Sequence, residues 1–218
     1  MRYSLVFSFL LILLIILYYN SRVYSNYSLE NFQNYNDDEI YSNRKIVASY
    51  YINDQNISKL KDIIDLIVKQ TVKLNQFCIN IPERFKDFID SSYIENNEII
   101  QIHYIKRDFI NCNGLIPTFL REKNGNALFI IFGEDILRYL KDVNFLKKLV
   151  IQYHSENSNK VVVSTANNKL KGTFITCVSN FNIGLVDNVS TSNKELHNCE
   201  SWYKRNINND VKFLDYKM

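Results

Sequence analysis

The sequence predicts an α/β domain with a mostly parallel sheet, preceded by an N-terminal transmembrane helix. Three observations predict it. An uncharged apolar segment stands between Arg2 and Arg22. Short β-branched runs alternate with amphipathic helical patterns from Lys45 to Thr165. The rest of the 218-residue chain is the size of one domain.

The apolar segment, Tyr3 to Tyr19 (YSLVFSFLLILLIILYY), fills most of the 19 positions between the two arginines. A helix of that length spans roughly 28 Å, close to the hydrocarbon thickness of a bilayer. It is apolar all round, whereas a surface helix packed on a core keeps a polar stripe. Cleavage as a signal peptide is the rival, at Val23-Tyr24-Ser25. The long apolar core and the lack of an A-x-A site favour an uncleaved signal-anchor. Arg22 is soon followed by Glu30, Asp37, Asp38 and Glu39, so the charge balance puts the N-terminus in the cytosol. The organisation expected is a cytosolic start and anchor over residues 1–22, a polar stem over 23–44, and a luminal domain over 45–218. That is a single-pass type II membrane protein of the endoplasmic reticulum or Golgi, or of a host membrane if viral.

The net charge of +3 comes from scattered lysines and arginines without a dense run, which argues against a nucleic-acid partner. Asn, Ile, Lys and Tyr are abundant while Gly (5) and Pro (2) are scarce, the bias of an AT-rich genome such as that of a large DNA virus or a protist. The four cysteines, Cys78, Cys112, Cys177 and Cys199, form no C-x-x-C pair, which argues against a zinc site and leaves free thiols as the default. Sequons at Asn26, Asn56 and Asn188 are candidates for N-glycosylation in a lumen.

Within the domain, KIVASYYI from Lys45 is a buried-strand pattern. Leu60, Ile63, Ile64 and Ile67 then recur at helical spacing, with Lys61, Asp62 and Asp65 opposite, and predict an amphipathic helix over Ser58–Thr71. QFCINI from Gln76 is a strand ended by Pro82, and Phe85, Phe88 and Ile89 suggest a short helix. EIIQIHYI from Glu98, ALFIIF from Ala127 and KVVVST from Lys160 are further strands. A brief helix over Leu115–Arg121 and a longer one over Ile136–Tyr153, broken near Asp142, fall between them. TFITCV and VKFL close the pattern, with a short helix near Trp202 before the last. Such alternation implies βαβ units.

Ligands of such sheets lie outside the carboxyl ends of the strands, so acidic residues just after a buried strand draw notice. LFIIFGEDI (Leu128–Ile136) has that form. It resembles the D-x-D region of nucleotide-sugar-dependent glycosyltransferases of GT-A fold, in particular the family 2-like group whose motif reads "IITVDDDIIY". Other segments fall in order. Ile46-Val47-Ala48-Ser49 is similar to the family's opening "IVVSLTTYPERI", and Ile67–Val72 with Ile79-Asn80-Ile81-Pro82 to "ILSQTVKPDKIYINIP". Asp108-Phe109, Leu115 and Pro117 match "DYGPATKLLP", and Cys199-Glu200-Ser201-Trp202 echoes a late "C..SDD.W".

The resemblance implies a nucleotide-diphospho-sugar transferase-like domain and hexosyl transfer from a nucleotide sugar to a glycan acceptor. It implies Asp135 as ligand of Mn²⁺ or Mg²⁺, with Ser49, Asp108 and Glu134 on the nucleotide sugar and Glu200 as the catalytic base. Departures fall at the cation and phosphate positions. The family's arginine is Asn56, its proline Asp54, its middle lysine Gly114, and its Gly-Pro Ile110-Asn111. Its first motif aspartate is Gly133 and its late aspartate pair is Glu200-Ser201. The alternative is therefore a catalytically inactive, membrane-anchored glycoprotein with a binding or structural role. Residue by residue, Asp108 beside Arg107 also fits a solvated ion pair, Glu200 a helix N-terminal acid, and His103 a plain strand residue.

Overall fold

The computed structural model describes residues 44–89, 97–106, 114–122, 124–156, 160–166, 172–181, 207 and 210–217. The chain divides into Met1–Ser42 and Asn43–Met218, and the described elements lie in the second unit. The apolar segment at 3–19, the stem, Asn26, Asn188 and the helix expected near Trp202 lie outside the described residues. Among the described residues no helix is long and apolar enough to cross a membrane.

Seven strands form one sheet: β1 (Ile46–Tyr51), β2 (Gln76–Pro82), β3 (Ile100–Ile105), β4 (Leu128–Ile131), β5 (Val161–Ser164), β6 (Phe174–Cys177) and β7 (Lys212–Asp215). Their order is β3-β2-β1-β4-β6-β5-β7. The pairs β1–β2, β2–β3, β1–β4 and β5–β7 are parallel, while β6 runs against both β4 and β5. The fold is a mixed α/β one with a mostly parallel sheet, and the strands that begin near Lys45, Gln76, Glu98 and Ala127 are neighbours as the pattern predicts.

The central strands read as continuous apolar runs because both faces of the sheet are covered. β1, β2 and β4 are buried along almost their whole length. On one face lies α1 (Leu60–Val68), entered through a 3₁₀ turn at Ile57–Lys59. It buries Leu60, Ile63, Ile64 and Ile67, the stripe its spacing predicts, each burial stabilising by about 1.5–3 kcal/mol. The helical pattern after β4 is two helices, α3 (Ile136–Tyr139) and α4 (Phe145–Ser155). Between them, near Asp142, the buried Gln70 fills the broken ladder: its Nε2 donates to the carbonyls of Leu140 and Asp142 at 3.1 Å, and its Oε1 accepts from the Leu146 N–H. α2 (Ile116–Arg121) covers the opposite face, where Phe119 packs on Phe129 and Phe181 with ring centroids 4.5 Å apart. The segment Glu83–Phe88 is a 3₁₀ helix whose Phe88 is 75% exposed, so it is a surface turn and adds little to the core. Cys78 and Cys177 are free and buried.

The chain runs outward from β1 to β2 to β3, then returns to place β4 on the other side of β1. The reversal puts the carboxyl ends of β1 and β4 where the connections leave in opposite directions, the position at which open α/β sheets hold their ligands.

Candidate functional site at the carboxyl ends of the strands

The residues around that point come from four connections. After β1 the chain turns at Asn53–Asn56. The Asn56 Oδ1 accepts from the Asn53 N–H (2.7 Å), the Asn53 Oδ1 accepts from the Asn56 N–H (3.1 Å), and the Asn56 Nδ2 donates to the Tyr51 carbonyl (2.9 Å). Asparagine suits such a reciprocal turn, since its short amide reaches its own backbone. The same amide lies against the hydroxyl of Tyr50, a residue 4% exposed. Burial pushes the Tyr50 phenol up to about 12, the Asn56 hydrogen bond acts the other way, and the nearby Glu134 charge adds to the rise. Past the end of β2, Arg84 stands over the Phe85 ring and forms an exposed pair with Asp54 at 3.3 Å.

After β4, Gly133, Glu134 and Asp135 make the turn into α3. Glu134 is exposed and Asp135 half-buried. The Asp135 carboxylate turns away from β1, toward the end of β5 and the start of β6. Its Oδ1 accepts from the Thr173 N–H and the Thr173 hydroxyl, both at 3.0 Å, and its Oδ2 accepts from the Thr165 hydroxyl at 2.5 Å. The Gly133 N–H donates to the Thr173 Oγ1 at 3.1 Å, and the Thr165 N–H to the Thr173 carbonyl at 2.9 Å. Gly172 lets the hairpin close this tightly: a Cβ there would lie 2.6 Å from the Ala166 Cβ and 2.7 Å from the Thr165 Oγ1.

On the α2 face, Ser49 is fully buried. Its hydroxyl meets the Gly114 carbonyl, Thr118 Oγ1 at 2.8 Å and Asn80 Nδ2 at 2.9 Å. Asn80 in turn accepts from Arg121 at 3.3 Å. The Ser49 side chain thus fixes the backbone at Gly114, which is where the resemblance expects a lysine. A Cβ on Gly114 would find ordinary contacts, 3.6 Å from the Tyr51 Cβ and 3.8 Å from the Ile131 Cγ2.

The architecture has a counterpart among solved structures. It matches the crystal structure of 4-diphosphocytidyl-2C-methyl-D-erythritol synthase from Anaerococcus prevotii DSM 20548, with a TM-score of 0.50. The match covers 82% of this chain and 90% of that one, at 10% identity. The likeness is one of fold. It shows a mixed α/β fold with a mostly parallel sheet. No family model matches the sequence, and no curated protein does.

Of the residues singled out in the sequence, Ser49, Asn56, Glu134 and Asp135 are described, while Asp108 and Glu200 lie outside the described residues. Asn56, Glu134 and Asp135 gather at the carboxyl ends of the strands, and Ser49 lies beneath them in the core. Among the described residues no group of three His, Cys, Asp or Glu side chains stands ready to hold a metal ion. Among the described residues the donors do not fit a divalent cation, which takes six or more oxygens or keeps several waters: Asp135 is engaged by three hydrogen-bond donors, and Glu134 is exposed. Sequence reasoning missed Tyr50, Thr165 and Thr173, because it searched for acids after the strands and gave these hydroxyl residues no role. The available signal was the pairing of a threonine just after KVVVS with one just before FITC, which a β5–β6 hairpin brings face to face.

Proposed function

We propose that this chain is a membrane-anchored protein of glycosyltransferase type. Its luminal domain takes a nucleotide sugar outside the carboxyl ends of β1 and β4 and transfers the hexosyl group to a glycan acceptor. The observation that carries the reading is the position of Glu134 and Asp135, directly after β4 and beside the point where the strand order reverses. Carboxylates at that place meet the hydroxyls or the diphosphate of a sugar nucleotide. The ordered resemblance of the motifs from Ile46 to Pro117, and the fold match to an enzyme named for a diphosphocytidyl product, support the same class. In this reading Asp108 binds the nucleotide and Glu200 removes the proton of the acceptor hydroxyl as it attacks the anomeric carbon.

The second reading, a non-catalytic binding domain on the same scaffold, is favoured by the replacements at the cation and phosphate positions. Asn56 is a turn residue where the family carries an arginine, and Gly114 supplies no ammonium. Calorimetry on the full chain in detergent, with uridine and guanosine diphosphate sugars, with and without Mn²⁺ or Mg²⁺, tests the choice. Binding with slow hydrolysis or transfer supports the transferase; binding without turnover supports the second reading. No binding of any nucleotide sugar overturns the first.

A further inference from the structure

We infer that Asp135 is a positioning residue, and that Glu134 is the carboxylate that meets the ligand, accepting hydroxyl groups of a ribose or hexose without holding a cation. The inference rests on the reading that this end of the sheet takes a nucleotide sugar, and it assigns the two adjacent acids opposite duties.

The geometry separates them. A carboxylate offers about four acceptor positions. Three of Asp135's are aimed at by the Thr173 N–H, the Thr173 hydroxyl and the Thr165 hydroxyl. A cation bound there would face hydrogens that already point at the same oxygens, and no group of three His, Cys, Asp or Glu side chains among the described residues stands ready to hold one. The bonds tie the β4–α3 turn to the ends of β5 and β6, and the Gly133 N–H adds a fourth tie to Thr173. Gly172 allows no Cβ where the hairpin closes against Thr165 and Ala166, so the two threonines are held at fixed spacing.

With the turn pinned through Asp135, Glu134 is left exposed at the end of β4, the strand that pairs with β1. Its charge reaches the Tyr50 hydroxyl, and Tyr50 lies against the Asn56 amide. An exposed carboxylate at the end of β4, where the strand order reverses, suits a neighbouring pair of hydroxyls: each O–H donates to one carboxylate oxygen. Nothing in that set neutralises phosphate, so the contact falls on the sugar side of the ligand.

The full chain in detergent tests this by titration with uridine diphosphate glucose and guanosine diphosphate mannose, with amide exchange followed at Thr173. Glu134→Gln should weaken binding about tenfold or more, since hydrogen bonds to a charged acceptor are lost, and leave exchange at Thr173 unchanged. Asp135→Asn keeps an acceptor for Thr173 and should hold affinity within about threefold, with the same response to Mn²⁺. Asp135→Ala should speed Thr173 exchange and weaken binding, yet add no further loss when Glu134 is already Gln, because it acts through Glu134. Loss of Mn²⁺-dependent binding in Asp135→Asn, with Thr173 still protected, would make Asp135 the ligand and overturn the inference. Should no nucleotide sugar bind while methyl glycosides bind in a Glu134-dependent way, the nucleotide reading falls and the division of roles stands. Should neither class bind, both fall.

Discussion

Asn80 Nδ2 stands 2.9 Å from Ser49 Oγ, across the parallel pair β1–β2, and 3.0 Å from Thr118 Oγ1 on the helix above. All three residues are buried, so each hydroxyl and amide finds its partner inside the protein. Asn80→Leu removes the donor to the Ser49 and Thr118 hydroxyls and the acceptor of Arg121. It should cost about 1–3 kcal/mol in urea unfolding, with an unchanged dependence on denaturant. Unaltered stability would show that the group contributes nothing net.

Ile64 is 4% exposed in the stripe of α1. Ile64→Asp puts an unpaired charge against the sheet, a change that costs several kcal/mol. The domain should lose its cooperative thermal transition. Retention of a normal melt would mean that α1 detaches without consequence.

Two glycines at the same end of the sheet should respond oppositely to alanine. Gly172→Ala forces a methyl within 3 Å of three atoms of residues 165 and 166; the clash should destabilise by about 1–3 kcal/mol and loosen the Asp135 tie. Gly114→Ala meets only ordinary contacts, and its backbone lies outside the left-handed region. It should stabilise by about 0.4–1 kcal/mol. Equal effects in parallel thermal melts would contradict the geometry.

The fold should weaken in mild acid through His103. Burial, and then the Arg121 guanidinium, hold its imidazole down at about 4, and its buried Nε2 has no hydrogen-bond partner. The unfolded chain takes up the proton below its ordinary pKa near 6.5, the folded chain only near 4. Stability is therefore full above about 6.5 and declines as pH falls toward 4. His103 is half-exposed, so the decline attributable to it, after allowance for solvent screening, is about 1 kcal/mol. Melting temperatures from pH 7.5 to 4.5 should fall less steeply in His103→Gln. Parallel slopes would exclude His103 as a source.

Expression with microsomes checks the proposed topology. An uncleaved anchor over residues 3–19 gives alkali-resistant membrane association, a C-terminus protected from protease and a mass increase removable by endoglycosidase. A shortened, soluble chain would establish signal cleavage.

Much of the fold was legible because burial on both faces writes itself into runs such as KIVASYYI and ALFIIF, and because α1 keeps an unbroken stripe. Even the break near Asp142 was visible, though its filler, Gln70, was not, since nothing local marks a glutamine that bonds across 70 residues of chain. The direction of β6 was also hidden: periodicity reports burial, and a short apolar strand reads alike in either direction. At the site, adjacency of Glu134 and Asp135 announced that one acid must turn aside. Which one turned depended on Thr165 and Thr173, brought to Asp135 only by the hairpin. Ser49 matched a motif but spends its hydroxyl on Asn80, Thr118 and Gly114, a network no spacing rule encodes.

The reversed course of β6 has an evolutionary corollary. Thr173, just before β6, meets the turn that leaves β4, and Asp135 accepts from its N–H. A side-chain acceptor at this place therefore serves the folding of the hairpin whether or not a sugar is ever transferred. A lineage that abandoned sugar transfer would go on selecting it, so its persistence among descendants would record an intact hairpin and say nothing about turnover.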